Sequence, residues 1–374
     1  MHILQFICPT GYYGAERWVS ALLKTWSSPV HKQHLAITLE PGSSSEVLQY
    51  SGLPPEYIHT LEMAHKFDFK VIGKLVKLIK QQNIDIIHTH GYKSDILGVI
   101  AARRAGIKAI CTPHGFENSK ELKLRLFMWL GGKAFRGFDC ICPLSPQIKE
   151  DVLHVYKVRA NRVRLIQNGV DLSEIEQALK DQNIPDCMVN IESSGPAHFS
   201  IGYIGQLISR KNLGSLLEAF KIFHNSYPHS TLYLAGEGDD RGNLQNAAHQ
   251  LEIADQVRFL GFRNDRLNLL PHFQAFGFTS TLEGIPRCLM EAMAAGVCVT
   301  AYQIPGVDQL IKNNQTGICI PLNHTQALAD AWLELAHNRQ KLADLAEAGK
   351  RYVYDNFSAQ AMAKAYVDVY EEFS

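Results

Sequence analysis

No apolar run in this chain approaches the roughly 20 residues that a helix needs to cross a bilayer. Nor does a basic leader with a small-residue cleavage site open it: MHILQFICPTGYYG reaches a glycine-rich turn after one short apolar stretch. Neither a membrane-spanning protein nor a signal peptide is expected. Cysteines are few and scattered, eight in 374 residues at 8, 111, 140, 142, 187, 288, 298 and 319, with no C-x-x-C pair. That excludes a paired-cysteine zinc site and a dithiol redox motif, and leaves reduced core thiols in a cytoplasmic protein as the expectation. Net charge is absent too, since 37 Lys and Arg balance 37 Asp and Glu, so no nucleic-acid partner is expected. There is no short-period repeat and no low-complexity tract.

What is present is ordinary globular composition, 46% hydrophobic and 20% charged, over a length that one core does not usually organise; two domains are expected. Charge is divided unevenly. Residues 1–170 carry 22 Lys and Arg against 13 Asp and Glu, and the remainder carries 15 against 24. A basic half of this kind suits a phosphate-bearing ligand or an anionic membrane surface. Within it, MHILQFIC, HLAITL, IDIIHTH, IKAICT, DCICPLS and RVRLIQ read as buried strands. Segments of helical spacing such as GAERWVSALLKTW, FKVIGKLVKLIKQQ and DILGVIAARRAG separate most of them. Alternating strand and helix predicts a doubly wound parallel sheet. After NGVD the alternation stops, and residues 172–198 read as a polar, irregular linker. It resumes with FSIGYIGQL, a helix from about Lys211, TLYLAGEG, QVRFLGF, QAFGFTS, GVCVTAY and TGICIPL. The expected architecture is α/β, two Rossmann-like doubly wound domains facing a central cleft, with ligands at the carboxyl ends of the strands.

The chemistry concentrates at those strand ends. In GYIGQLISRKNLGSLLEAF a strand meets a turn at Gly205, then Arg210 and Lys211, then an amphipathic helix. The macrodipole favours negative charge at a helix N-terminus, so two cations there are best explained by an anion such as a diphosphate held between them and the backbone amides. In AGEGDD, Gly236 and Gly238 are expected to let the backbone approach a ligand. STLEGIPRCLMEAMAAGVCV, residues 280–299, puts Glu283 on a turn and Glu291 eight positions later, inside a helix expected to begin at Pro286 and stop at Gly296. A carboxylate accepts two hydrogen bonds from a vicinal diol, which fits Glu291 to a ribose, while Glu283 accepts from sugar hydroxyls. The amides between them open a helix N-terminus and suit a phosphate or a developing anion. Alone, either acid reads as well as a surface or capping group.

Glu283 and Glu291 fit the Glu-x7-Glu signature of the retaining GT-B glycosyltransferases of family 4 (glycosyl transferases group 1), which the chain resembles over nearly its whole length. GYYGAERW (11–18), with Gly11 and Gly14, is similar to the family's glycine loop after the first strand, IIHTHG (86–91) to its mid-domain strand, and TPHGFE (112–117) to its His-Gly segment. GQLISRKN resembles its diphosphate segment, QNGVD (167–171) the exit from its N-terminal domain, and TGICIPL the last strand of its C-terminal domain. FSAQAMAKAYVDVYEEFS resembles the helix that crosses back to the N-terminal domain. The resemblance implies a GT-B fold. Its N-terminal acceptor-binding domain covers 1–172 and is completed by the crossover helix at about 357–374; 173–198 is the linker and 199–356 the donor-binding domain. It further implies that Lys211 neutralises the donor diphosphate, that Glu291 binds ribose, that Glu283 with the turn amides orients the sugar, and that His114 contacts the sugar from the opposite domain. Two departures stand out. The family's arginine after the strand glycine is Gln206 here, which gives Arg210 the second positive charge. Pro286 replaces the family's small turn residue and has no N–H, so contacts are expected at Gly284 and from the amides of Ile285, Arg287 and Cys288.

The chain contains no Asp-x-Asp to hold a metal on a diphosphate, and a cationic pair can do the same electrostatic work, so transfer without a metal or other cofactor is expected. Retention would follow from same-face attack, the leaving phosphate oxygen taking the acceptor's proton while Arg210, Lys211 and the turn amides stabilise the developing charge. The same fold carries nucleotide-sugar epimerases and binding-only relatives, and these are the alternatives. The donor is expected to be UDP- or GDP-linked, with base contacts near GFRND (261–265). The acceptor is expected to be a glycan or a lipid-linked one. Two basic, apolar segments bear on the acceptor: KFDFKVIGKLVKLIK, with Lys66, Lys70, Lys74 and Lys77 beside Phe67, Phe69 and Leu75, and SKELKLRLFMWLGGKAFR, with Lys120, Lys123, Arg125 and Lys133 beside Phe127, Trp129 and Phe135. The first reads as a sheet-covering helix. The second, with the basic half, predicts peripheral attachment to an anionic membrane.

Overall fold

The structure, a computed structural model, describes residues 1–9, 14–26, 28–40, 46–65, 68–114, 132–180, 185–188 and 198–374. Two compact units make up the chain: Met1–Asp171 with Ala359–Ser374, and Leu172–Ser358. In the first, β1 (His2–Ile7), β2 (Lys32–Leu39), β3 (Ile58–Glu62), β4 (Ile86–His90), β5 (Lys108–Thr112) and β6 (Cys140–Ile141) form a parallel sheet in the order β3-β2-β1-β4-β5-β6. In the second, β7 (Phe199–Ile204), β8 (Ser230–Ala235), β9 (Val257–Gly261), β10 (Ala275–Phe278), β11 (Cys298–Tyr302) and β12 (Ile318–Ile320) form a parallel sheet in the order β12-β11-β10-β7-β8-β9. Counted from its own first strand, the second order is the same as the first. Each unit is thus a Rossmann-like fold, and its strand order reverses between β1 and β4, or between β7 and β10.

Side-chain alternation produces this layering. Along β1, Leu4 and Phe6 enter one core with Leu75, Ile87 and Leu97, while Ile3 and Ile7 enter the other with Trp18, Ile86 and Tyr366. Both faces of the sheet are covered, as a parallel sheet requires. The closing helix Ala359–Glu371 joins the second of these cores: Ala359 N–H donates to the Val170 carbonyl at 2.8 Å, and Met362, Tyr366 and Tyr370 are buried.

Three local readings differ from the sequence expectation. RVRLIQ forms no strand; Val163 makes an isolated bridge to Ile141, at the end of a β6 only two residues long. Conversely, β3 was not expected, because IHTLE is half polar and buries only Leu61, the pattern of an edge strand. The stretch taken as irregular contains the helix Leu172–Lys180, which buries Leu172 and Ile175 at helical spacing.

Candidate active site

In the second unit, the segments that follow β7 and β10 leave the sheet at its switch point and carry most of the expected site. The loops after β7 and β8 are stitched backbone to backbone: Gly205 N–H donates to Ala235 at 3.0 Å, Leu207 N–H to Glu237 at 2.9 Å, and Asp240 N–H to Leu207 at 3.0 Å. Gly236 has φ +146°, and a Cβ there would fall 1.8 Å from the Gly205 carbonyl oxygen; at Gly238 it would fall 2.2 Å from that of Leu207. The neighbouring loop alone therefore accounts for both glycines.

Arg210 and Lys211 do not lie at the start of the following helix, as expected, but in a 3₁₀ turn, Ser209–Lys211; the helix begins at Leu213. Asn212 separates the two in left-handed backbone, φ 49° and ψ 43°, which asparagine tolerates better than most residues. The turn is tied to the end of β10. Its Arg210 carbonyl accepts from Thr281 N–H at 3.0 Å and Oγ1 at 3.2 Å, and its Lys211 carbonyl from Thr279 Oγ1 at 3.1 Å. Lys211 is 8% exposed. Its Nζ donates to Glu283 Oε1 and lies 5.5 Å from the Phe278 ring centroid, while Arg210 Nη1 is 3.7 Å from Glu283 Oε2. The counter-anion of the cation pair in this structure is Glu283 itself.

The helix after the turn spans Arg287–Ala294. Pro286 is its N-cap, one position earlier than expected, and makes no side-chain cap bond; its carbonyl accepts from Leu289 and Met290 N–H at 3.2 and 3.3 Å. The first amides, those of Arg287 and Cys288, have no intrahelical acceptor by construction. At the other end Gly296, φ +78°, donates to Met293, and Val297 donates to Ala292, the paired bonds of a Schellman cap. Glu291 is buried, and its Oε1 accepts from Arg266 Nη2 and from Arg287 Nε, both at 2.8 Å. Burial pushes this carboxyl up, but the two guanidinium groups outweigh burial and hold it at about 2. Arg287 also reaches Glu174, in the helix Leu172–Lys180, at 3.8 Å. Both guanidinium contacts use Oε1, and Oε2 takes neither.

Arg266 was missed by sequence reasoning, which stopped at GFRND; a cation 25 positions before the acid gives no local signal. Gly306 was missed as well. It has φ +92°, and a Cβ there would fall 1.5 Å from the Gly284 carbonyl oxygen, so the loop after β11 buttresses the Glu283–Ile285 turn. Ile285 is buried, and burial pushes the Cys288 thiol up to about 12.

In the first unit, His114 follows β5, half-buried, with its ring edge-on to Trp18 at 5.2 Å and its Nε2 3.4 Å from His90 Nδ1. Burial holds its pKa down at about 3, so the ring is neutral. Gly14 opens the helix Gly14–Lys24, and a Cβ there would meet nothing within 4 Å. Gly11 lies outside the described residues, as do Lys66, Phe67, Lys120, Lys123, Arg125, Phe127 and Trp129. Phe135, expected at a membrane, is instead buried against Tyr156 at 5.2 Å.

Residues 194–352 match the profile of the glycosyl transferases group 1, and residues 12–174 that of glycosyltransferase family 4. The chain is 30% identical over 279 residues to the UDP-Gal:alpha-D-GlcNAc-diphosphoundecaprenol alpha-1,3-galactosyltransferase of Escherichia coli, covering 73% of this chain and 71% of that one. It is 26% identical over 345 residues to the alpha-monoglucosyldiacylglycerol synthase of Streptococcus pneumoniae, covering 86% and 76%. Among solved structures it resembles Anabaena HepE in complex with UDP-glucose, with a TM-score of 0.79 and 19% identity over 99% of both chains.

Proposed function

The chain belongs to glycosyltransferase family 4, with the GT-B fold, and from that premise we propose that it transfers a sugar from a UDP-linked donor to a hydroxyl of a lipid-linked or cell-envelope glycan. Transfer proceeds with retention and without a metal ion. The observation that carries this reading is the cluster at the switch point of the second unit, where Lys211 and Arg210 bracket Glu283 and the next helix holds Glu291 between two guanidinium groups.

An arriving diphosphate offers Lys211 and Arg210 a second anion, and Glu283 is then released to accept from sugar hydroxyls. Glu291, kept ionised by Arg266 and Arg287, offers Oε2 to a ribose hydroxyl. Amides of Ile285, Arg287 and Cys288 stabilise charge on the leaving phosphate, whose oxygen takes the acceptor's proton as the new glycosidic bond forms on the same face. In this reading the second unit binds the donor, the first binds the acceptor, and His114 touches the sugar. The name of the E. coli relative, which gives UDP-Gal as donor and a diphosphoundecaprenol-linked acceptor, supports a UDP donor and a lipid-linked acceptor. So do the name of the S. pneumoniae relative, which makes a glycolipid, and the UDP-glucose complex of HepE. In this reading the protein works at the inner face of the cytoplasmic membrane.

The test is incubation with UDP- and GDP-sugars, with and without a lipid extract, followed by product analysis and a thermal shift with each nucleotide. A glycolipid or glycan product made equally with Mg²⁺ and with EDTA supports the proposal. A new nucleotide sugar makes the protein an epimerase, and UDP binding without any product makes it a binding-only relative. At 100 times its dissociation constant, a ligand adds about 2.7 kcal/mol of stability, which the thermal shift detects. Strict dependence on a divalent ion overturns the metal-independent step.

A further inference from the structure

Under the helices of the first unit, one face of a core otherwise built of Ile, Leu and aromatic side chains contains a polar chain. Gln5, on β1, is fully buried, and a buried amide has to find partners for two N–H groups and an oxygen. Its Nε2 donates to Gln33 Oε1 and to the Tyr370 hydroxyl, both at 2.9 Å, which uses both N–H groups. Its Oε1 lies 2.7 Å from His90 Nε2. Turned over, the amide would keep one N–H without an acceptor, and Gln33, whose own Nε2 has no partner among the described residues, would have to turn with it.

An amide oxygen only accepts, so His90 Nε2 must carry a proton. Burial holds the pKa of His90 well below the ordinary value, so the ring is neutral and its Nδ1 is a lone pair. That lone pair faces His114 Nε2 at 3.4 Å, where only an N–H makes a bond. We propose that Gln5 and His90 are positioning residues that set His114 as its Nε2–H tautomer, leaving Nδ1 as the ring nitrogen available to accept from a substrate hydroxyl. Trp18 holds the two rings in place, tilted against His90 at 5.0 Å and edge-on to His114 at 5.2 Å. A second branch leads away from His114: the Tyr370 hydroxyl meets His88 Nδ1 at 2.6 Å, His88 Nε2 meets Thr112 Oγ1 at 2.8 Å, and that hydroxyl meets the Tyr366 hydroxyl at 2.8 Å. A neutral acceptor is the useful form at a sugar whose anomeric carbon gains positive charge, since an imidazolium there would repel it. The inference rests on the proposed contact between His114 and the sugar.

The test is long-range ¹H–¹⁵N NMR of the whole protein labelled with ¹⁵N-histidine, recorded without donor, with His114→Asn to assign the signal. The expected spectrum has the His114 proton on Nε2. Tyr370→Phe keeps it there, because Gln33 still anchors the Gln5 amide, while Gln5→Leu frees His90 and gives both tautomers of His114. In turnover, Gln5→Leu lowers kcat about tenfold and changes the donor KM by less than about twofold. Should Gln5→Leu fail to fold, His90→Phe removes the acceptor directly and is read the same way. A proton on Nδ1 in the wild type overturns the proposal, as does a folded Gln5→Leu with the tautomer unchanged. If the tautomer is as assigned but His114→Ala transfers sugar at the wild-type rate, the sugar contact is what fails, and the positioning role falls with it.

Discussion

At the scale of single residues, the electrostatics turn on which charges are balanced inside the chain. Lys211 is nearly buried and neutralised by Glu283. Lys211→Ala therefore removes both the proposed diphosphate partner and the group that pairs with the acid. Transfer should fall by about 10²-fold or more, mainly in kcat, measured with saturating donor; a loss below threefold would show that the lysine does not meet leaving-group charge. Asp95 presents the opposite case. It is buried with Thr89 Oγ1 donating at 2.6 Å, and burial raises its carboxyl to about 8. In the unfolded chain it titrates near 4, so between about pH 4 and 8 the folded state binds the extra proton and stability falls as pH rises. Asp95→Asn removes that slope. The variant should gain on the wild type by up to about 1.4 kcal/mol per pH unit across that window, checked by denaturant unfolding at pH 5 and 7. A gap that does not widen with pH would mean that Asp95 is ionised in the fold.

At the scale of elements, two glycines with positive φ make different demands. Gly296 caps the helix Arg287–Ala294, and the nearest atom to a Cβ there is Lys350 Cδ at 3.8 Å, an ordinary contact. Gly296→Ala should cost about 1 kcal/mol in backbone strain, read as a lower Tm, with turnover close to wild type. Gly306 abuts a backbone oxygen of the turn that carries Glu283, and that oxygen cannot yield without moving the turn. Gly306→Ala should therefore cost about 10²-fold in kcat/KM, with a smaller effect on the Tm than on the rate. Equal turnover by the two variants would separate the turn from catalysis. The same loop-on-loop logic at Gly236 and Gly238 explains why a strand-end glycine is no proof of a ligand. Chain packs against chain there, and the glycine is needed either way.

At the scale of the whole molecule, the basic charge lies in residues 1–170, and the helix Lys70–Gln81 displays part of it. Lys70, Lys74, Lys77 and Lys80 are exposed beside Phe69, which is 61% exposed, while Val71, Ile72, Leu75, Leu78 and Ile79 face the core. No acidic residue lies in that helix. Among the described residues, no helix is long and apolar enough to cross a membrane. The expected attachment is peripheral, with each cation near an anionic surface worth about 1 kcal/mol and screened by salt. In flotation with vesicles of rising anionic lipid content, wild type should float and be released at high salt. Changing Lys120, Lys123 and Arg125, in the segment expected at the membrane, to Ser should weaken flotation by about two orders of magnitude. Wild type that stays at the bottom at every composition, and glycosylates a water-soluble acceptor as well, would remove the membrane from the account.

The sequence by itself determined what depends on near neighbours. Strand and helix periodicity set the two α/β units. The positive φ at Gly296 ended a helix where an Ala-rich run met a glycine, and eight residues of a turn and a helix placed Glu283 and Glu291 in different settings. The tertiary structure alone decided what those charges touch. Arg266, in the helix that follows β9, reaches Glu291 across 25 positions, and Glu283 and Lys211 meet across 72 because β7 and β10 are neighbours in space and not in sequence. It also decided the tautomer of His114, which passes through Gln5 on β1, Gln33 on β2 and Tyr370 on the closing helix. Hydrogen-bond partners, unlike hydrophobic periodicity, are specified by angles and tenths of an ångström, and only the folded chain supplies them.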